Sequence, residues 1–260
     1  MPKEGSAISA QPPAPHDVQP RLVLWNIGLT LVDAARVDRA AYAEAFRATT
    51  GRPLIQLPQM AGRTDSEIFF EALAVNAAGP RPVDPAGDEL LGRFTTQLAA
   101  AYRARRDLIT ERGRLMPGAR EAVARAWQVP GLVQTVLTGA IRPNALEVLR
   151  AFGLDRYLDT EIGGYGSEVY PKGAMLLNAR GRAAEKYRAD FAEDTTVYVA
   201  DSTRDVEAAR LGGARSIGVA SGRSAAGELW DAGADVVLDD LADTEAVLAA
   251  VDRLTVPIRS

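Results

Sequence analysis

The pattern of apolar and polar positions begins with a long polar segment. Residues 1–20 contain the run Gln-Pro-Pro-Ala-Pro and few large apolar side chains. Such a segment buries too little apolar surface to offset the entropy lost on ordering it. We therefore predict that residues 1–20 form a disordered tail.

The first apolar run follows at once, and we predict a buried strand over residues 21–32. Its continuous apolar residues end abruptly at Trp25, and a short polar segment containing Gly28 follows. This pattern is typical of a buried parallel strand that delivers its last residues to the carboxyl edge of a sheet. In doubly wound α/β folds, ligands bind at that edge.

Residues 36–115 have helical periodicity. Apolar residues recur close to helical spacing from Val37 to Phe46 and again from Ile68 to Leu73. Residues 88–112 are predicted to be a third, long amphipathic helix. An all-helical insertion directly after the first strand would lie as a cap over the carboxyl edge of the sheet.

After residue 116, β-branched strands alternate with helical segments. We predict helices over 119–127, 142–152, 174–187, 204–212 and 244–254, and strands over 133–137, 161–163, 196–200, 216–220 and 236–238. This alternation is typical of a parallel sheet with right-handed crossovers. The predicted fold is a doubly wound α/β core of residues 21–35 and 116–260, with a helical cap over 36–115.

Composition excludes several classes of function. The 260 residues include no cysteine, which excludes disulfides and thiolate catalysis. The single histidine, His16, lies in the predicted tail, so neither a catalytic triad nor a histidine-bound zinc is expected. A net charge of -4 gives no reason to expect nucleic acid or an anionic membrane as a partner. No apolar run approaches the roughly 20 residues that cross a bilayer, and the N-terminus lacks the apolar core of a secretory signal, so we predict a cytoplasmic protein.

Polar residues at predicted strand ends and helix starts are the candidates for chemistry. Thr138, followed by Gly139, ends a strand; it is either a helix N-cap or part of a phosphate site at a helix start. Lys172 opens a helix, either as a solvated first-turn residue or as the cation of an anion site. Asp201 and Asp205 lie at a strand end and on the following helical turn. Either aspartate alone is explained by helix capping, but the pair suits Mg²⁺, which prefers oxygen ligands.

These motifs, in this order, resemble motifs I to IV of the haloacid dehalogenase superfamily of phosphatases and related hydrolases. The resemblance covers residues 21–255. The helical insertion after motif I, and the return to the core at Met116-Pro-Gly-Ala-Arg, are similar to the phosphoglycolate-phosphatase-like branch. Membership would imply a Mg²⁺-dependent reaction on a phosphorylated small molecule, in which an aspartyl-phosphate forms and is hydrolysed.

The resemblance also implies roles for individual residues. The catalytic motif positions would be Asn26, Gly28, Thr138 and Lys172; the substrate contacts Thr30, Arg63, Thr64, Thr138, Gly139 and Lys172; and the metal ligands Asn26, Gly28, Asp201 and Asp205. Arg63 and Thr64 enter because a cap loop similar to Ala61-Gly-Arg-Thr-Asp65 reaches the site in that branch. An equally good interpretation of Thr64 is a helix N-cap, with Glu67 completing a capping box.

Motif I departs from the family pattern at both covalent positions. The family has a nucleophilic aspartate where this chain has Asn26, and an acid/base aspartate where it has Gly28; Thr30 is retained. An amide is a poor nucleophile, and glycine offers only its backbone carbonyl. An amide in place of a carboxylate also weakens Mg²⁺ binding while it removes repulsion against an anionic ligand. We therefore expect the site to bind phosphate or a phosphorylated small molecule and to turn it over very poorly.

Three hypotheses stay open at this point. The first is a phosphatase-inactive homologue that binds a phosphorylated ligand, as a monomer or homodimer. The second is an enzyme with a changed reaction in a biosynthetic pathway, using Lys172, Asp201 and Asp205 with Tyr165, Glu168 or a cap residue. The third is a residual hydrolase in which Asp201 or Asp205 activates water. A nucleotide-dependent dehydrogenase is disfavoured, because no Gly-x-Gly-x-x-Gly follows the first strand.

Overall fold

The computed structural model describes residues 19–77, 85–167 and 171–255. Most of the predicted tail, with His16, lies outside these ranges, and so does Glu168, one of the candidates for a changed reaction.

Six parallel strands form the central sheet. In chain order its strands are β1 (Arg21–Trp25), β4 (Leu132–Thr138), β5 (Gly164–Tyr165), β6 (Thr196–Ala200), β7 (Arg215–Val219) and β8 (Val236–Leu238). Their spatial order is β5-β4-β1-β6-β7-β8, so the chain leaves β1 toward one edge and later returns to build toward the other. The carboxyl end of β1 therefore lies at the topological switch point, where open α/β sheets bind ligands.

Both faces of the sheet are buried, as the apolar runs predicted. Successive residues of a strand point to opposite faces, and β1 illustrates this. Val23 and Trp25 pack into the cluster that continues into the inserted helices, whereas Leu22 and Leu24 pack on the opposite face with helix α7. The predicted doubly wound α/β fold is confirmed.

The helices are α1 (Ala35–Thr50), α2 (Asp65–Val75), α3 (Pro85–Arg103), α4 (Arg106–Arg112), α5 (Ala119–Trp127), α6 (Arg142–Ala151), α7 (Lys172–Tyr187), α8 (Thr203–Leu211), α9 (Ala226–Asp231) and α10 (Thr244–Thr255). Most core elements start and end within one or two residues of the predicted bounds. The short helix α9 was not predicted. No helix within the described ranges is long and apolar enough to cross a membrane.

The first strand is shorter than predicted, because the chain turns back directly after Trp25. The amides of Leu31 and Val32 both donate to the Ile27 carbonyl at 2.9 Å, and Leu29 adopts a positive φ of 59°. A two-residue strand β2 (Val32–Asp33) then pairs antiparallel with β3 (Arg114–Leu115). This ribbon encloses the helical insertion, which we define as helices α1 to α4.

The helical insertion has its own aromatic core, in which Phe69 of α2 stacks on Phe94 of α3 with ring centroids 4.1 Å apart. The long helix predicted over residues 88–112 is two helices. The chain turns between α3 and α4, where the Arg105 amide donates to the Tyr102 carbonyl. The Arg105 guanidinium then donates to the Ala101 carbonyl and pairs with Glu44 at 2.5 Å, which stabilises the turn.

Strand β5 starts after the predicted 161–163 segment. Asp159 causes this shift: its carboxylate accepts from the Glu161 amide and pairs with Lys186, so the chain is still in a turn there. Pairing with β4 begins only where Gly164 lies opposite Leu137.

Candidate functional site

A cavity of about 590 Å³ lies between the carboxyl edge of the sheet and the helical insertion. Most of the predicted site residues line it: Asn26, Gly28, Arg63, Thr138, Gly139, Lys172 and Asp201. Thr30, Thr64 and Asp205 do not line it. The structure thus brings four separate motifs to one cavity, while the role of each residue stays a prediction.

The sheet order explains this convergence. Strand β1 pairs with β4 on one side and β6 on the other, and all three run parallel. Their carboxyl ends carry Asn26, Thr138 and Asp201, which therefore lie at one edge. Lys172 reaches the same place from the first turn of α7.

The side-chain amide of Asn26, at the end of the cavity that we call its floor, donates to three oxygens. Its Nδ2 donates to the Gly28 carbonyl at 2.9 Å, to Thr30 Oγ1 at 3.3 Å and to Asp201 Oδ1 at 2.9 Å. Thr30 Oγ1 also donates to Asp201 Oδ1 at 2.9 Å. Asn26 and Thr30 are both buried, so this network is enclosed by the protein.

Asp201 is a buried carboxylate with only neutral hydrogen-bond donors. Burial and the nearby charge of Asp205 raise its pKa to about 6, although the donors Thr30 and Asn26 favour the ionised form. The backbone of Gly222 comes so close that a Cβ there would lie 2.0 Å from Asp201 Oδ2. Glycine is therefore required at position 222.

Lys172 and Asp205 form a buried ion pair beside the cavity. Lys172 Nζ lies 2.5 Å from Asp205 Oδ1, and the Tyr198 hydroxyl lies 3.0 Å from the same oxygen. The other oxygen, Oδ2, accepts from Ser202 Oγ at 2.5 Å. Both oxygens of Asp205 are engaged, and this geometry favours an anchor for Lys172 over the predicted metal ligand.

Several donors face the cavity near Asn26 and Thr138. The Thr138 side chain accepts weakly from the Ala140 amide at 3.3 Å, which leaves its hydroxyl proton available. The backbone N–H groups of Ile27 and Gly28 donate to no acceptor within the described part of the chain. Adjacent free N–H groups beside a lysine and a hydroxyl are an arrangement typical of concave anion sites.

The helical insertion is docked directly on this edge. The Asp65 amide donates to the Gly139 carbonyl at 2.8 Å, and Ser66 Oγ donates to the Gly166 carbonyl at 2.9 Å. In return the Ile141 amide donates to Asp65 Oδ2 at 2.9 Å. A Cβ at Gly139 would lie 1.8 Å from the Arg63 carbonyl, so this contact requires glycine. These hydrogen bonds hold the insertion closed over the cavity.

The predicted cap-loop residues differ in their surroundings. Arg63 lines the cavity and pairs with Glu71 at 2.5 Å, while its buried Nε has no hydrogen-bond partner. Thr64 is the N-cap of α2: its side chain accepts from the Glu67 amide, and the Thr64 amide donates to the Glu67 carboxylate at 2.8 Å. The geometry of Thr64 agrees with the capping-box interpretation.

Sequence reasoning missed several polar groups that line the cavity. Asp38, Tyr42 and Tyr102 line it from α1 and α3, together with Asp65 and, from α6, Asn144. Asp65 was part of the recognised cap-loop pattern and could have been considered from it. The others have no local motif, because only the tertiary fold brings them to the cavity.

The residues present do not fit Mg²⁺ in the observed arrangement. Nδ2 of Asn26, a hydrogen-bond donor, already links the Gly28 carbonyl and Asp201, two of the oxygens expected to bind the ion. Within the described ranges no group of three or more His, Cys, Asp or Glu side chains is placed to hold a metal. Asp201 is the one ionisable group left among the expected ligands that line the cavity.

Comparison with known proteins adds a family and a set of similar folds. A model of the haloacid dehalogenase-like hydrolases matches residues 23–210. No curated protein matches the chain. A hydrolase from Pseudomonas syringae has a similar structure, with a TM-score of 0.62 and 23% identity over 90% of this chain and 99% of that chain.

Two further solved structures are similar. CbbY from Rhodobacter sphaeroides, in complex with phosphate, has a TM-score of 0.61 and 21% identity over 89% of this chain and 100% of its own. A predicted phosphoglycolate phosphatase from Haemophilus somnus has a TM-score of 0.58 and 20% identity, covering 89% of this chain and 99% of its own. At these identities the likeness concerns the fold.

Proposed function

The chain belongs to the haloacid dehalogenase-like hydrolases, and on that premise we propose that it binds a phosphorylated small molecule without efficiently hydrolysing it. The observation that carries the proposal is the Asn26 amide. It occupies the nucleophile position and is fully engaged with Gly28, Thr30 and Asp201. The cavity around it keeps the groups that bind anions but has no carboxylate in the attacking position.

Phosphate binding is supported by the donors that surround the cavity floor. Lys172 supplies a cation, Thr138 a hydroxyl, and Ile27 and Gly28 supply free backbone N–H groups. Charged and backbone donors that converge in this way are the usual partners of phosphoryl oxygens. The insertion, which we propose acts as a cap, covers them and excludes water.

Poor hydrolysis follows from the two altered positions of motif I. The amide of Asn26 has no basic lone pair for attack at phosphorus, and Gly28 has no side chain to protonate a leaving group. General acid–base catalysis alone is worth roughly 10²–10⁴-fold. Gly28 is not sterically required, because an added Cβ would meet no atom within 4 Å. The loop thus has room for a carboxylate there, and its absence is a property of the sequence and not of the packing.

We further propose that Mg²⁺ binds weakly. The family resemblance implies the ion, which would add positive charge beside the phosphoryl group. Here Asn26 joins the expected ligands by hydrogen bonds, and a hard cation prefers charged oxygens to amides. Phosphate binding would therefore depend on Lys172 and the backbone donors. Cytoplasmic location and a monomeric or homodimeric state stay predictions.

Titration calorimetry beside a phosphatase assay tests the proposal. We expect inorganic phosphate to bind with or without Mg²⁺, and p-nitrophenyl phosphate to be hydrolysed no faster than in the Lys172→Ala variant. Lys186→Ala, which removes an exposed lysine, is the matched control and should leave binding unchanged. Rapid Mg²⁺-dependent turnover by the natural sequence would refute the proposal.

A further inference from the structure

Part of the cavity lining presents hydrogen-bond acceptors. It consists of Asp38 on α1, Asp65 at the start of α2 and Asn144 on α6, and we call these three residues the acceptor wall. The phosphate-binding groups described above do not use them. Their chemistry therefore concerns the rest of the ligand.

Neither carboxylate of the acceptor wall has a cationic partner within the described residues. Asp65 is 7% exposed, and its Oδ2 accepts only the Ile141 amide. Asp38 accepts from the Tyr102 hydroxyl at 2.9 Å. Arg63, two residues before Asp65 in the chain, pairs instead with Glu71. Arg39 also lines the cavity but is exposed to solvent.

Asn144 gives an independent indication of a ligand. It is 4% exposed, it lines the same cavity, and its Oδ1 has no hydrogen-bond partner. A buried acceptor without a donor costs roughly 1–3 kcal/mol. A donor on a bound molecule would remove that cost.

The energetics of the two carboxyl groups point the same way. Burial raises the pKa of Asp65 to about 7, against the Ile141 hydrogen bond, and the charge of Asp38 raises it further. Burial also raises the pKa of Asp38 to about 6. No cation offsets the effect of burial on either group, and a cation bound beside them would stabilise their ionised forms.

We propose that the acceptor wall binds the protonated amine of the ligand, so that the ligand is a phosphomonoester with an ammonium group at its other end. This inference rests on the proposed function, since it assigns the phosphoryl group to the floor of the cavity. Apolar side chains, among them Ile68, Leu98 and Val148, also line the cavity and suit an alkyl linker.

An ammonium group fits the acceptor wall better than the hydroxyls of a polyol. Its three donors match the acceptors of Asp38, Asp65 and Asn144. Neutral hydroxyls would satisfy the acceptors but leave the buried Asp65 and the half-buried Asp38 without compensating charge, which is costly.

The test compares ligands that differ only in the amine. The full chain is titrated with inorganic phosphate, with ω-aminoalkyl phosphates of increasing length, with alkyl phosphates of the same lengths, and with glycerol phosphate. We expect the best aminoalkyl phosphate to bind about tenfold or more tightly than its alkyl counterpart. The same series is repeated with Asp65→Asn and Asp38→Asn. Asparagine keeps an acceptor for the Ile141 amide or the Tyr102 hydroxyl, so these variants remove the charge with little effect on packing.

The variants should abolish the advantage of the amine and leave the affinity for inorganic phosphate unchanged. The matched control is Asp107→Asn, which removes an exposed carboxylate on α4. If one variant does not fold, the other, or Asn144→Ala, gives the same comparison. Equal binding of the amino and alkyl series, or a preference for glycerol phosphate, overturns this inference and leaves the proposed function standing. Failure of inorganic phosphate itself to bind overturns the proposed function, and this inference with it.

Discussion

Replacing Asn26 by aspartate tests whether the amide stands where the family would place a cation. On the proposed motif assignment, the change returns the nucleophile of the family without altering side-chain size. It converts a donor that contacts three oxygens into an acceptor that faces the same three oxygens. In the absence of metal, Asn26→Asp should therefore destabilise the protein.

The size of this destabilisation can be worked out from the contacts of Asn26. The lost hydrogen bond to the ionised Asp201 is worth roughly 1.5–3 kcal/mol, and the one to the Gly28 carbonyl about 0.5–1.5 kcal/mol. Two unit charges 4 Å apart repel by about 4 kcal/mol at the effective dielectric constant of 20 that suits protein sites. Sharing of a proton between the carboxyls limits that repulsion, so we expect a net loss of roughly 3–5 kcal/mol. For a chain of this size each 1 kcal/mol lowers the melting temperature by about 2–4 °C.

Magnesium should reverse the effect. Positions 26 and 201 would then supply two carboxylates beside the Gly28 carbonyl, an oxygen set that suits Mg²⁺. At a free concentration 100 times its Kd, the ion would return about 2.7 kcal/mol. The natural sequence should gain far less, because its amide competes with the ion.

Thermal unfolding with EDTA and with Mg²⁺ measures both expectations. Asn26→Ala is the first control: it also loses the amide but gains no carboxylate, so Mg²⁺ should not restore it. Gln97→Glu adds the same charge at an exposed position of α3 and should change stability by less than about 0.5 kcal/mol. The reasoning fails if Mg²⁺ stabilises the natural sequence as much as Asn26→Asp, or if Asn26→Asp without metal is as stable as the natural sequence.

Three further predictions concern the surrounding groups. Lys172→Ala leaves Asp205 buried without a cation and should cost roughly 3–5 kcal/mol in urea unfolding, whereas Arg125→Ala, which breaks an exposed pair with Glu245, should cost about 1 kcal/mol or less. Because burial raises the pKa of Asp65 to about 7, the folded state keeps a proton that the unfolded state loses above about pH 4. The free energy of unfolding should therefore fall by up to about 4 kcal/mol between pH 4 and 7. Unfolding measured across this pH range should show a flatter profile in Asp65→Asn. Thr64→Ala should cost about 1 kcal/mol through loss of the α2 cap and leave phosphate affinity unchanged in calorimetry; a lost affinity would favour the substrate-contact interpretation.

The parallel core could be predicted because its signals are local. Continuous apolar runs such as Thr196–Ala200 mark strands buried on both faces, and each ends at a polar residue. Parallel strands place those polar residues at one edge, so the meeting of Asn26, Thr138 and Asp201 followed from strand order alone. The long helix predicted over 88–112 failed for the opposite reason. At its break Arg105 pairs with Glu44, a contact across the insertion that periodicity does not contain.

The detailed pairing at the site was also beyond the sequence. Motif spacing predicted that Asp201 and Asp205 would act together, yet their strand and helix positions direct them to different partners. Asp205 turns toward Lys172, Tyr198 and Ser202, and only Asp201 faces Asn26. Asp38 and Asn144 carried no motif at all, since they reach the cavity only when α1 and α6 pack around it.

The charges around the cavity floor limit how tightly phosphate alone can bind. Lys172 is balanced by Asp205 at 2.5 Å, so it brings hydrogen-bond donors but little net positive charge. Asp201 adds a negative charge when ionised, and its raised pKa of about 6 means that a bound anion, which opposes that ionisation, would favour its protonated form. Without a bound metal ion, the phosphoryl group is therefore recognised mainly by aligned donors, at modest affinity. Strong and selective binding must then come from the rest of the ligand, to which the cavity presents Asp38 and Asp65 of the helical insertion and Asn144 of α6.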